Sequence, residues 1–147
     1  MRAVALAEVD DAGRFGGKAA QLGASLRAGL QVPPGYALSH ALVGAVARGD
    51  AAALTEVRSL GARLQGPQAV RSSGVGEDGV AQSFAGQHTS LLNVVGTEAL
   101  LAAVAAVHAS GDTASARAYR QRMGVAGDPR VAVERQRLVD AEFAGVM

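Results

Sequence analysis

Two cationic side chains, Lys18 and Arg71, stand beside glycine-rich sequence of a kind that suits phosphate binding. Arg71 belongs to AVRSSGVGEDGVAQSFAGQHTSLLNV, residues 69–94, in which short strands at Ala69–Ser72 and Leu91–Val95 flank an acid- and Gly-rich connection. That connection includes a tight Gly turn at Phe84–Gln87. Glycine lets main-chain N–H groups approach a bulky ligand. The stretch therefore predicts a hairpin with an arginine at its base and a loop suited to phosphate.

Lys18 lies at the start of a predicted amphipathic helix in GRFGGKAAQLGASLRAGL, whose apolar positions recur at helical spacing: Ala19, Leu22, Leu26 and Leu30. Free N–H groups at a helix start attract anions, and an ammonium group beside them adds a phosphate contact. A Walker-type loop is excluded, because Ala12 and Ala19 replace its first glycine and its Ser or Thr. Lys18 is the only lysine among 14 basic residues. That fits either a need for a compact cation here or a surface lysine retained by chance.

The elements that must position these residues form an α+β pattern. Beyond the hairpin, a strand is predicted at Val4–Val9, and helices are predicted at His40–Arg48, Asp50–Leu64, Thr97–Ser110 (with Thr97 as N-cap) and Asp112–Gly124. The buried faces are predicted to include Ala53, Val57, Leu60, Leu64, Leu100, Leu101, Val104 and Val107. Another strand is predicted at Val131–Val139, with a further one starting at Ala144. The sequence stops at Met147 within apolar residues, which fits either an edge strand or a domain continued in further sequence.

Composition indicates one domain, residues 1–147, with a core of small side chains. The hydrophobic fraction is 49% but aromatic residues make up only 3%, which favours Ala-rich helices packed on a mixed or antiparallel sheet. The formal charge of +1 gives no electrostatic footprint for nucleic acid or membrane partners. Cysteine is absent, so disulfides, thiol nucleophiles and cysteine metal sites are excluded. No signal peptide or bilayer-spanning run is found, and we expect a cytoplasmic protein.

Four stretches carry a resemblance to a known family: GGKAAQLGASLRAGLQVPPGYAL, AVRSSGVGEDGVAQSFAGQHTSLLNV, SARAYRQRMG and RQRLVDAEFAGVM. In this order they resemble the N-terminal nucleotide-binding domain of the pyruvate phosphate dikinase and phosphoenolpyruvate synthase family, which includes the rifampicin phosphotransferases. The resemblance implies part of an ATP-grasp-like fold that binds ATP between two subdomains. It also implies phosphoryl transfer through a histidine on a separate swivelling domain to pyruvate or another small acceptor.

The resemblance implies five ATP-binding residues. Lys18 and Arg71 would hold the phosphates, and Gly86 would let the backbone close over them. Ser90 would supply a hydroxyl where the family commonly has threonine. Gln136 would lie in the segment that resembles the adenine-side hinge.

Each assignment has a structural alternative. Arg71 would instead be a buried charge paired with Glu77 or Asp78. Gln136 would be an ordinary strand residue.

Four residues depart from the family pattern: Val75, Thr89, Glu134 and Arg135. The first two remove a hydroxyl and a negative charge, respectively, from the hairpin motif. The other two stand where the hinge strand is normally apolar. Adjacent charges in a strand point to opposite faces, and burying either one unpaired is costly. We therefore expect this strand to be more exposed than in relatives.

The resemblance places several functional parts beyond the equivalent of Met147, namely the carboxylates that hold Mg²⁺, the phosphohistidine domain and the acceptor domain. We therefore predict no catalytic or metal-binding residues in this chain. It would be the ATP-binding part of a dikinase-type phosphotransferase, inactive alone and completed by a second chain or further domains. The alternative, favoured by the four departures, is a degenerate non-catalytic module that binds a nucleotide or a partner.

Overall fold

The computed structural model describes residues 3–61, 63, 66–74, 90–110 and 131–137. Its strands are β1 (Ala3–Ala5), β2 (Gly35–Leu38), β3 (Gln68–Gly74), β4 (Ser90–Val94) and β5 (Val131–Arg137). They form one sheet in the order β1-β2-β5-β3-β4, and every neighbouring pair is antiparallel. The helices are α1 (Ala12–Phe15), α2 (Gly17–Arg27), α3 (His40–Ala47), α4 (Ala51–Gly61) and α5 (Thr97–Ser110), and Leu6–Glu8 form a 3-10 turn. The predicted α+β class is confirmed.

The helices cover both faces of the sheet. On one face, here called the α2 face, α1 and α2 pack around a small apolar cluster of Leu6, Val9, Phe15, Ala19 and Ala37. On the other, the α5 face, α3, α4 and α5 bury a larger cluster that includes Leu42, Val57, Leu100, Val104 and Val107. Alternation along the strands assigns Val70 and Val133 to the α5 face and their neighbours Arg71 and Glu134 to the α2 face. The α2 face is therefore the one that gathers polar side chains.

Several sequence predictions are confirmed in position. The two hairpin strands pair as β3 and β4, and α5 spans Thr97–Ser110 with its four predicted apolar residues buried. The predicted buried positions of α4 that the structure describes, Ala53, Val57 and Leu60, are also buried. The prediction of Thr97 as N-cap is wrong, because α5 begins at Thr97 itself and the preceding Gly96 carbonyl accepts from Leu100 N–H at 3.0 Å.

Three local predictions need correction. The strand predicted at Val4–Val9 is limited to Ala3–Ala5, because the chain then turns through the 3-10 segment. Leu30 is not on the apolar face of a helix: α2 ends at Arg27, Gly29 adopts a positive φ, and Leu30 is 61% exposed. Most importantly, β5 is not exposed. It is the central strand, and both Glu134 and Arg135 are buried in it.

Other predictions fall outside the described residues: the turn at Phe84–Gln87, the helix at Asp112–Gly124, the strand starting at Ala144, and Leu64. Within the described part, no helix is long and apolar enough to cross a membrane.

Candidate functional site

Four polar side chains, Lys18, Arg71, Glu134 and Gln136, gather on the α2 face of the sheet and are called the polar cluster below. The antiparallel register places Arg71 on β3 directly opposite Glu134 on β5. Gln136 is two residues further along β5 and therefore projects from the same face. Because β3 and β5 are adjacent over seven register pairs, this part of the cluster is built on the best-paired region of the sheet.

The guanidinium group of Arg71 is anchored at two points. Its Nε forms an ion pair with Oε1 of Glu134, and its Nη2 donates to Oε1 of Gln136. The amide of Gln136 is itself fixed, because its Nε2 donates to the carbonyl of Pro33 at 3.1 Å. The Glu134 side chain is fully buried, whereas that of Arg71 is 34% exposed. The guanidinium group is thus held from the interior and open to solvent on its other side.

Lys18 reaches the same end of the sheet from the first turn of α2. Its Nζ donates to the carbonyl of Ser72 at 3.3 Å. The neighbouring backbone is also fixed, since Ala19 N–H donates to Oγ of the buried Ser73 at 3.1 Å. Two hydrogen bonds therefore tie the start of α2 to β3. They place the lysine close enough to Glu134 to stabilise its ionised form electrostatically.

The carboxyl group of Glu134 titrates above its ordinary range. Burial raises its pKa, and Arg71 and then Lys18 oppose that rise, leaving the pKa above 4.5. In the described residues no hydrogen-bond donor satisfies Oε2 of Glu134. The buried carboxylate is therefore stabilised mainly by charge, and its protonation is coupled to the two cations that face it.

The raised pKa of Glu134 predicts a pH dependence of stability that Glu134→Gln removes. A carboxyl group whose pKa is raised on folding binds more protons in the folded state. The stability gained from this extra proton binding is complete below the pKa of the unfolded state and is lost as the pH rises through the pKa of the folded state. The free energy of unfolding of the unmodified protein, minus that of Glu134→Gln, should fall between pH 4.5 and the raised pKa and then level off. A tenfold change in proton affinity on folding corresponds to about 1.4 kcal/mol. Urea denaturation at pH 4.5 to 8 measures this, and a difference that stays constant with pH would contradict it.

The predicted site residues are only partly assembled. Lys18, Arg71 and Gln136 come together, and Ser90 on β4 is paired with Arg71 and exposed. Gly86 lies outside the described residues. So do Glu77 and Asp78, the acids suggested as partners of Arg71, as well as Val75 and Thr89.

Glu134 is the member of the polar cluster that sequence reasoning did not assign to the site. The sequence does contain a pattern that points to it: polar residues at positions 134 and 136 lie on the same face of a strand, so Glu134 is expected beside Gln136. The two adjacent charges were expected to force β5 into solvent. That prediction is wrong because each charge has an interior partner: Glu134 pairs with Arg71, and Nη1 of Arg135 donates to the carbonyl of Leu60 at 2.8 Å.

Arg135 belongs to a different environment from the polar cluster. It projects toward the α5 face and lines a pocket of about 220 Å³ with Gln68, Val94, Gly96 and Leu100. Burial lowers the pKa of its guanidinium group, and Tyr36 acts in the opposite direction. The pocket and the polar cluster are therefore separated by the sheet.

The polar cluster has the donor chemistry of an anion site. Among the four side chains of the polar cluster, an ammonium group and a part-exposed guanidinium group face one buried carboxylate, so positive charge exceeds negative charge by one within the cluster. A phosphate oxygen could accept hydrogen bonds from both cations. Within the ranges that the structure describes, no group of three or more His, Asp or Glu residues could hold a metal ion.

Comparison with known proteins identifies the family. The model of the pyruvate phosphate dikinase AMP/ATP-binding domain matches residues 42–147. Similar proteins include the prodigiosin synthesizing transferase PigC of Serratia marcescens, which is 33% identical in an alignment of 162 positions that covers 91% of this chain and 18% of that protein. A rifampicin phosphotransferase of a Streptomyces species is 45% identical over 82 residues, which cover 54% of this chain and 9% of that protein.

A phosphoenolpyruvate synthase of Aeropyrum pernix is 30% identical in an alignment of 179 positions that covers 90% of this chain and 22% of that protein. The chain thus spans less than a quarter of the length of each of these three relatives. The family model, in contrast, extends over most of the chain, from within α3 through β5 and on to residue 147. The chain therefore belongs to the pyruvate phosphate dikinase AMP/ATP-binding domain family.

Proposed function

We propose that this chain is the N-terminal portion of the ATP-binding domain of a dikinase-type phosphotransferase. Such an enzyme would pass a phosphoryl group from ATP through a phosphohistidine to pyruvate or another small acceptor. Family membership supports the use of ATP. The observation that carries the proposal is the convergence of Lys18 and the part-exposed Arg71 on one end of the α2 face.

The two cations would bind the phosphates of ATP in different ways. The planar guanidinium group of Arg71 can donate to two phosphate oxygens at once, whereas the ammonium group of Lys18 acts as a compact point charge. Ser90 would add a hydroxyl donor from the adjacent strand. Gly86 would bring backbone N–H groups over the phosphates. Gln136, beside Arg71, would orient the nucleotide toward the hinge.

Turnover would need groups that this chain does not supply. Mg²⁺ bound to the nucleotide would neutralise phosphate charge, which phosphoryl transfer requires, and its protein ligands would come from another part of the enzyme. Further domains or a second chain would also carry the histidine. We therefore propose that the isolated chain binds ATP weakly without transferring its phosphoryl group.

Calorimetry with Mg-ATP tests the phosphate contacts directly. Arg71→Ala should weaken binding about 10- to 100-fold, because it removes charge-assisted hydrogen bonds worth about 1.5–3 kcal/mol. Lys18→Ala should weaken binding less, since a single ammonium cannot bind two oxygens in a fixed geometry. Arg58→Ala is the matched control. Arg58 is an exposed arginine on α4 that forms an ion pair with Glu98 on α5. Both helices cover the α5 face, on the opposite side of the sheet from the polar cluster, so this change should leave binding unchanged.

A second candidate function is a non-catalytic module that binds a protein partner or another ligand. The observation that favours it is Glu134, which places a negative charge among the cations that would hold phosphate. No binding at millimolar Mg-ATP by the folded, unmodified chain would reject the ATP site and support this module. Equal losses in Arg71→Ala and Arg58→Ala would show that binding is unrelated to the polar cluster.

A further inference from the structure

We propose that Glu134 is a positioning residue that, with Gln136, holds the guanidinium group of Arg71 in the orientation that binds phosphate. This inference rests on the proposed ATP site. It gives a role to a carboxylate that neither the hairpin motif nor the glycine loop includes. The evidence is the arrangement of the two anchors, the difference in exposure between the two charged side chains, and the charges that surround them.

The anchors occupy only part of the donor capacity of Arg71. A guanidinium group has five N–H donors in a fixed planar fork. Nε lies against Glu134, and Nη2 donates once, to Gln136. These two contacts leave the two N–H groups of Nη1 and the second one of Nη2. The plane of the guanidinium group is therefore fixed, while the contacts made among the described residues leave three donors for a ligand.

Exposure indicates the side from which a ligand approaches. Glu134 is fully buried and Arg71 is one-third exposed, so the carboxylate lies behind the arginine. A phosphate could reach the open donors without displacing Glu134. The arrangement thus favours support of Arg71 over competition for it.

Anchoring improves binding because a free arginine must be ordered when it meets its ligand. Immobilising such a side chain costs conformational entropy, and a pre-oriented fork avoids much of that cost. Repulsion between the carboxylate and phosphate works against this gain. In the part of the chain that the structure describes, the charged groups that face Glu134 are Arg71 from β3 and Lys18 from α2, and these two cations offset the repulsion.

A double-mutant cycle on the full chain separates positioning from repulsion and from general damage. Mg-ATP and inorganic tripolyphosphate are titrated into the unmodified protein, Glu134→Gln, Arg71→Ala and the double variant. Glu134→Gln should weaken binding of both ligands about 3- to 10-fold when Arg71 is present, a typical coupling between contacting residues. In the Arg71→Ala background it should cause no loss, because the group that it positions is gone. Tripolyphosphate lacks the base, so the effect is assigned to phosphate contacts.

Two results would overturn the inference. Equal losses in both backgrounds would indicate a purely structural role, and tighter binding by Glu134→Gln would indicate competition. If Glu134→Gln does not fold, Glu134→Asp replaces it: the shortened side chain keeps the charge, so positioning predicts an Arg71-dependent loss and competition predicts none. Failure of the proposed ATP site gives a separate signature, in which Arg71→Ala binds Mg-ATP as tightly as the unmodified protein.

Discussion

Gly16→Ala should lower the free energy of unfolding by about 4 kcal/mol, the sum expected for a forbidden backbone conformation and an overpacked contact. Gly16 separates α1 from α2 with φ of 82° and ψ of 161°, a combination that is essentially restricted to glycine. A Cβ atom there would also overlap the carbonyl and the Oγ of Ser73 on β3. Because β3 backbone cannot retreat without breaking its pairing with β5, α2 would have to move instead.

Movement of α2 should weaken nucleotide binding as well, since Lys18 is two residues away and bonded to the Ser72 carbonyl. Gly49→Ala is a matched control: Gly49 has φ of 79°, but an added methyl group would meet no atom within 4 Å, so only backbone strain of about 1 kcal/mol is expected. Thermal and urea denaturation measure stability, and calorimetry with Mg-ATP measures binding. Similar destabilisation by the two variants would show that the close approach of α2 to β3 is unimportant.

Arg135→Ala should destabilise the protein by about 3 kcal/mol, because it combines the loss of a buried hydrogen bond from a charged donor with a cavity. Arg135 is 2% exposed, and its Nη1 donates to the carbonyl of Leu60 in the last turn of α4. The same carbonyl also accepts from Arg63 N–H at 3.0 Å, and carbonyl groups in the last turn of a helix favour a cation. The arginine therefore joins the end of α4 to the central strand.

Arg135→Met separates the two contributions, because methionine fills much of the same space but cannot donate to Leu60. We expect it to cost about half as much as the alanine variant, in line with the loss of a hydrogen bond to a charged donor. Neither change should alter Mg-ATP affinity in the folded protein, since Arg135 faces away from the polar cluster. Urea denaturation gives the stabilities. An alanine variant as stable as the unmodified protein would contradict the assigned role.

Local sequence patterns were sufficient for most of the helices and strands. Apolar spacing identified α2, α4 and α5, and the two strands around the glycine loop pair as expected. The motifs also led to the correct family. These features depend on residues close together in the chain, which is why they could be predicted.

The position of β5 and the environment of its charges depend on distant residues. A strand pattern does not reveal its neighbours, so sequence could not show that β5 lies between β2 and β3. The pair formed by Arg71 and Glu134 joins residues that are 63 positions apart. An arginine or glutamate becomes acceptable in the interior only when such a partner is present. The sequence of β5 alone therefore suggested exposure, and the fold buries it.

The strand order has a consequence for how the chain folds. Strands β1 and β2 pair with each other, as do β3 and β4, but in the described part of the sheet β5 is the strand that connects the two pairs. During synthesis both pairs can form early, whereas the sheet closes only after residues 131–137 have left the ribosome. Contacts between such distant segments are formed slowly because a long loop must be closed first. Glu134 arrives with β5, so the support behind Arg71 assembles only after both strand pairs have been synthesised.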